Sequence, residues 1–285
     1  RDRPSRTLYH LSALFAVNAV FSVLAVLMIC LFLFANALPT MSKIGFVEFI
    51  FGFEWFPSEE LFGIFAMIIG SLYVTALAIF IGVPLGVLSA IYLSCFCHKR
   101  LKKFLMPCVE LLGAIPSVVY GFFGLVVIVP TLSSLYGGIS GKGVLAASLV
   151  LAIMILPTII LLSKAAIDAL PKSYYEGALA LGASKERSVF FALVHAAKSG
   201  ILASVILGVG RAIGEAMAVI MVAGNQVQIP HGLMDGVRTL TTNIVLEMGY
   251  ATDLHREVLI ASAAVLFVFI LIINASFNAI KKETK

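Results

Sequence analysis

The run ILASVILGVGRAIGEAMAVIMVA, Ile201–Ala223, is long and apolar enough to cross a bilayer, yet it carries Arg211 and Glu215 near its middle. A spanning helix needs about 20 largely apolar residues to cover a hydrocarbon core about 30 Å thick. Inside that core each backbone polar group must be satisfied within the protein, so an isolated apolar run of this length reads as a helix. An ionised side chain near the centre costs about 3 kcal/mol on insertion scales, and such residues are kept for a reason. Four positions apart, Arg211 and Glu215 are spaced to share one face of a continuous helix. The pair points to a pathway for an anion. A fixed ion pair that locks helices together is the competing reading.

The rest of the chain supports a membrane setting. Of its 285 residues, 61% are hydrophobic and 12% charged, about half the charged fraction of soluble domains. The apolar residues come in blocks, and one membrane domain over residues 1–285 accounts for the whole length. The net charge of +5 does not imply a nucleic-acid partner, because no segment interleaves basic and aromatic residues as such a surface does. Cys95, Cys97 and His98 lack the spacing of a zinc site, so no bound metal or other cofactor is expected. The first apolar run is too long for a secretory signal and reads as a retained span.

Six spans emerge, at 14–38, 64–93, 105–129, 144–162, 201–223 and 258–277. Fifteen basic residues fall on one side of them, including Arg1, Arg3, Arg6, Lys99–Lys103, Lys164–Lys198 and Lys281–Lys285; the other side has four. The positive-inside rule therefore puts both termini in the cytoplasm. The opposite side carries Glu48, Glu54, Glu59 and Glu60 with Phe51, Phe53, Trp55 and Phe56, a cluster suited to the lipid interface. The expected fold class is an all-α integral membrane protein.

The longest cytoplasmic connection, residues 163–200, has a pattern of its own. Asp168 could cap a helix, Pro171 suits an early helical position, and Ser173–Ala180 are reasonable helix formers before the interruption at Gly182. A helix lying across the cytoplasmic face could pass a push from another protein to the fourth and fifth spans. GGISGKG, Gly137–Gly143, is no phosphate-binding loop: Tyr136 stands where the pattern needs Gly, and Gly143 where it needs Ser or Thr.

The segment PKSYYEGALALGASKERSVFFALVHAAKSGI, Pro171–Ile201, resembles the coupling loop of binding-protein-dependent ABC importer permeases. Glu176, Ala178 and Gly182 match that family's Glu-Ala-Ala-x-x-x-Gly core, while Gly177 replaces its first alanine. Ala192–His195 replace the usual Ile-x-Leu-Pro, and Ser199 stands where proline is common. The resemblance implies a coupling helix in which Tyr174, Glu176, Ala178 and Gly182 serve docking to an ATPase subunit.

A second resemblance is narrower. GVGRAIGEAMAVIMVAGN, Gly208–Asn225, and AIPSVVYG, Ala114–Gly121, resemble the PstC-type permease subunits of bacterial phosphate importers, with weaker support from Glu54–Gly63 and Pro84–Ser94. It implies an ABC importer permease fold in the inner membrane and inorganic phosphate as cargo. The implied partners are a PstA-type second permease, two PstB-type ATPases that use ATP and Mg, and a PstS-type external phosphate-binding protein. The chain itself would be non-catalytic. Arg211 would then belong to the translocation pathway or its gate and Glu215 would support it, with Pro116 and Ser117 as pathway-shaping residues. Glu110 is either a helix-end residue or a second gate. Other readings are an ABC permease for sulfate or an amino acid, an ion-driven transporter or anion channel, and an assembly subunit with Arg211–Glu215 as a clamp.

Overall fold

A computed structural model describes residues 6–283; Arg1, Arg3 and Lys285, used above for topology, lie outside them. Helix α1, Arg6–Ile44, is followed by the short α2, Phe46–Phe51, and a two-stranded hairpin of β1, Trp55–Phe56, and β2, Leu61–Phe62. Helix α3, Phe65–Ile91, ends in a π-helical turn at Tyr92–Phe96. Then come α4, Lys99–Ala114, α5, Ser117–Phe123, and α6, Val129–Leu135. Helix α7, Val144–Asp168, is the central span. Three short helices follow it: α8, Ser173–Ala180, α9, Lys185–Arg187, and α10, Val194–Ala196. The chain closes with α11, Lys198–Gly214, α12, Met217–Val222, α13, Leu240–Glu247, and α14, Asp253–Glu283.

Burial ranks these helices. No residue in the most apolar stretch of α1 is buried, whereas 67% of the corresponding stretch of α7 is. Helix α1 is thus a lipid-facing element that packs on α14, where Lys43 pairs with Glu257 at 3.2 Å. Helix α7 is held between α3 and α11. A Cβ on Gly82 or Gly86 of α3 would meet Ile155 or Ile159 at 2.8 Å, and one on Gly208 of α11 would meet Ile159 at 2.9 Å. Between helices in lipid, such close packing carries association that water-driven burial cannot supply. The hydroxyls of Ser163 and Ser204 add a buried hydrogen bond of 2.5 Å between α7 and α11.

Among the described residues, five helical stretches are long and apolar enough to cross a membrane: Leu14–Ile44, Phe65–Phe96, Ser117–Leu135, Val144–Asp168 and Asp253–Ser276. Lys185–Ala196 and Lys198–Gly214, which meet at 69°, pass the same test only as a pair, so the crossings number five, or six if that pair is one span. Two expected spans therefore need correction. Residues 105–114 belong to α4, and the third crossing starts at Ser117. Pro116 is the cause: it has no N–H for the Leu112 carbonyl four residues back, and it disfavours helical geometry at Ile115, which is extended (φ −65°, ψ 129°). The Leu112 carbonyl keeps a long bond of 3.4 Å from the Ile115 N–H, and the Tyr120 hydroxyl donates to it at 2.6 Å and staples the break. The fifth run, expected to be continuous over 201–223, stops at Gly214 and resumes at Met217 because Glu215 is extended (φ −75°, ψ 128°).

Candidate functional site

The two breaks lie against each other. Helix α5 packs on α12, so closely that a Cβ on Gly121 would come within 2.8 Å of the Ala218 Cα. Pro116 and Ser117 open α5, and Glu215 precedes α12. Backbone that leaves the helix at membrane depth is tolerated where protein or a water-lined cavity surrounds it, and paired broken helices mark binding sites in many transporters.

Arg211 stands in the last turn of α11, where the helix C-terminus favours a cation. It is half-buried, and its Nη1 donates to Thr158 Oγ1 of α7 at 3.1 Å. Among the described residues no carboxylate lies within 4.0 Å of its guanidinium. The expected meeting of Arg211 and Glu215 on one helix face does not occur. A continuous helix would create it, but the extended backbone at Glu215 turns that residue to other work. Its Oε1 accepts from the Ala218 N–H at 3.0 Å, and its carbonyl accepts from the Thr241 hydroxyl at 2.9 Å. Among the described residues, no acid pairs with the Arg211 charge.

The glycines around the pair divide the same way. Gly208 is filled by Ile159, whereas a Cβ on Gly210 or Gly214 would meet nothing within 4 Å. Gly210 and Gly214, a small-xxx-small pair, therefore pack against no described residue of this chain. Glu110 is exposed on α4.

At the basic end of the bundle, α8 covers Ser173–Ala180, the stretch read as helix-forming from the sequence. Tyr174 and Glu176 are exposed, Ala178 turns half inward, and Gly182 takes a left-handed φ of +83° that suits glycine. Leu181 is 90% exposed beside it, and Phe191 is 76% exposed. Asp168 is not a cap. It is the last residue of α7 and pairs with Lys164 at 2.6 Å and Lys102 at 4.0 Å. Behind α8 lies a cavity of about 420 Å³ lined by Asp168, Lys172, Tyr175, Lys185 and Val189 among others.

Residues 82–285 match the family described as binding-protein-dependent transport system inner membrane component. The chain belongs to that family. It is 42% identical over 236 residues to the probable ABC transporter permease protein YqgH of Bacillus subtilis, covering 80% of this chain and 76% of that protein. It is 35% identical over 263 residues to the phosphate transport system permease protein PstC of Mesorhizobium japonicum, covering 85% and 80%. Among solved structures, a bacterial ABC transporter that imports the polysaccharide alginate superposes with a TM-score of 0.61 at 16% identity, covering 98% of this chain and 99% of that one. The inward-facing MetNI methionine transporter gives a TM-score of 0.61 at 18% identity, covering 76% and 93%. The permease is therefore a multi-pass membrane protein with the ABC importer permease fold, and its likeness to PstC-type subunits extends over most of the chain.

Sequence reading missed several residues of this permease. Thr158 lies inside the apolar string ILPTII, where its hydroxyl after Pro157 is the lone polar signal. Trp55, expected at the lipid interface, is buried and donates through Nε1 to Glu247 at 2.9 Å. Glu247, only 6% exposed, also pairs with Arg238 at 2.6 Å and His255 at 2.8 Å. These four side chains join the hairpin, the segment before α13, α13 itself and α14.

Proposed function

We propose that this permease forms one half of the pathway of an ATP-driven inorganic phosphate importer. The observation that carries the reading is the Arg211 guanidinium, half-buried at the junction of two broken spans with a hydroxyl as partner and no carboxylate. Arg keeps its charge when buried and offers planar donors suited to oxyanion geometry. A phosphate passing that point would accept charge-assisted hydrogen bonds and supply the absent negative charge. The PstC names of several relatives support the choice of phosphate. Glu215 supports the pathway by holding the start of α12, and Pro116 and Ser117 shape it by breaking the third crossing.

The bare faces of Gly210 and Gly214 suit close approach by a PstA-type second permease. In this reading the basic end faces the cytoplasm with both termini. Tyr174, Glu176 and Gly182 meet a PstB-type ATPase, with exposed Leu181 as an added apolar anchor and Ala178 seating α8 from behind. Two such ATPases hydrolyse MgATP, a PstS-type protein delivers phosphate to the opposite face, and the bundle alternates its access. The permease performs no covalent chemistry.

Uptake by the reconstituted complex in vesicles tests this. Labelled phosphate should accumulate only with MgATP and the binding protein present, and excess unlabelled phosphate, but not sulfate, should compete. Competition by sulfate equal to that by phosphate, or ATP-driven uptake of another solute alone, overturns the assignment.

A further inference from the structure

The hydrogen bond from Arg211 Nη1 to Thr158 Oγ1, 3.1 Å, is the one that the guanidinium makes among the described residues. A hydroxyl partner has a different consequence from a carboxylate. A carboxylate would orient the guanidinium and also cancel its charge, whereas a neutral acceptor orients it and leaves the charge available. Four of the five guanidinium N–H groups then remain for other partners.

The surroundings of Thr158 make that orientation firm. It belongs to α7, the most buried of the spanning helices. The next residue, Ile159, is wedged between Gly86 of α3 and Gly208 of α11. Gly208 lies three residues, about one helical turn, before Arg211, so the register of α11 on α7 is fixed close to the hydrogen bond. Threonine is also stiff at χ1, because two heavy atoms on its Cβ restrict rotation.

We infer that Thr158 is a positioning residue for Arg211, fixing the guanidinium for an oxyanion while leaving its charge unspent. The inference rests on the reading of Arg211 as the anion contact. Thr158 does not have to touch the cargo. It acts by reducing the freedom of a long side chain that would otherwise sample many rotamers.

The test uses the whole reconstituted importer and follows both phosphate uptake and ATP hydrolysis. Thr158→Val keeps the shape and removes the acceptor. It should assemble normally and move about tenfold less phosphate per ATP, the scale of one hydrogen bond to a charged group. Thr158→Ser, which restores the hydroxyl, should recover to within about twofold of the native value. Arg211→Ala, run in parallel, should nearly abolish uptake. Normal transport by Thr158→Val beside an inactive Arg211→Ala overturns the positioning role and leaves the Arg211 reading standing. A serine variant as impaired as the valine variant also overturns it, because packing and not the hydroxyl would then matter. Normal transport by Arg211→Ala defeats the underlying reading itself. If Thr158→Val does not assemble, Thr158→Ala takes its place with the same expected and opposing outcomes.

Discussion

Glu215 does backbone work where the sequence suggested an ionic partner for Arg211. Its carboxylate caps the N–H of Ala218, and its carbonyl receives the hydroxyl of Thr241. Glutamine can keep that acceptor, whereas alanine cannot. Losing a cap of this kind costs about 1 kcal/mol. Glu215→Gln should therefore retain most of the stability that Glu215→Ala loses, as read from the melting temperatures of the purified complexes. Equal losses would mean that the charge, and not the cap, is what the site uses. The charged character of this site was legible in the sequence, since two ionisable residues in an apolar run stand out. The absence of pairing was not. It depends on the backbone angles of one residue, and nothing in GRAIGEAM demands a break: Gly214 permits one, but helices in membranes often carry glycine.

At the scale of elements, the two broken crossings differ in how visible they were. Pro116 announces its break, and the error was to run the expected span from 105 through it. Two devices then fix the geometry: the extended Ile115 and the Tyr120–Leu112 hydrogen bond. Tyr120→Phe should loosen the junction at little cost in volume, leaving the Leu112 carbonyl with only the 3.4 Å bond from the Ile115 N–H. A loss of about 1 kcal/mol, the net worth of one hydrogen bond, is expected, read as a lower melting temperature of the complex. Helix α8 was legible in both place and extent, because Ser173–Ala180 is bounded by Pro171 and Gly182. What spacing could not reveal is that Leu181 stands free in front of the turn. We expect Leu181→Asp to weaken copurification of the ATPase subunit at least tenfold, by placing a charge where an apolar anchor would be buried. Unchanged copurification would remove Leu181 from the coupling surface.

At the scale of the whole molecule, burial divides the bundle into a packed centre of α3, α7 and α11 and a lipid-facing periphery led by α1. Hydropathy alone could identify the spans, but it ranks α1 and α7 almost equally. Which one is central follows from glycines on its neighbours. Likewise, nothing local in the sequence links Arg238, Glu247 and His255, yet tertiary contacts gather them around Trp55. Removing one member of a buried charge network strands the others, at about 3–5 kcal/mol. Glu247→Ala should therefore lower the melting temperature of the complex far more than Glu257→Ala, whose Lys43 partner is exposed. Similar shifts for the two variants would show that the buried network is not what joins the hairpin to α14.

The glycine contacts on both sides of α7 also limit how this molecule can move. Ile159 lies between Gly86 and Gly208, so α7 cannot slide along one neighbour without its side chain riding over the backbone of the other. The three helices therefore have one shared register. The degrees of freedom left for a change of shape are angular, at Ile115–Pro116, at Glu215–Ala216 and at the 69° bend before α11. A force on the bundle would then be spent on bending at those joints, and Arg211 sits next to one of them.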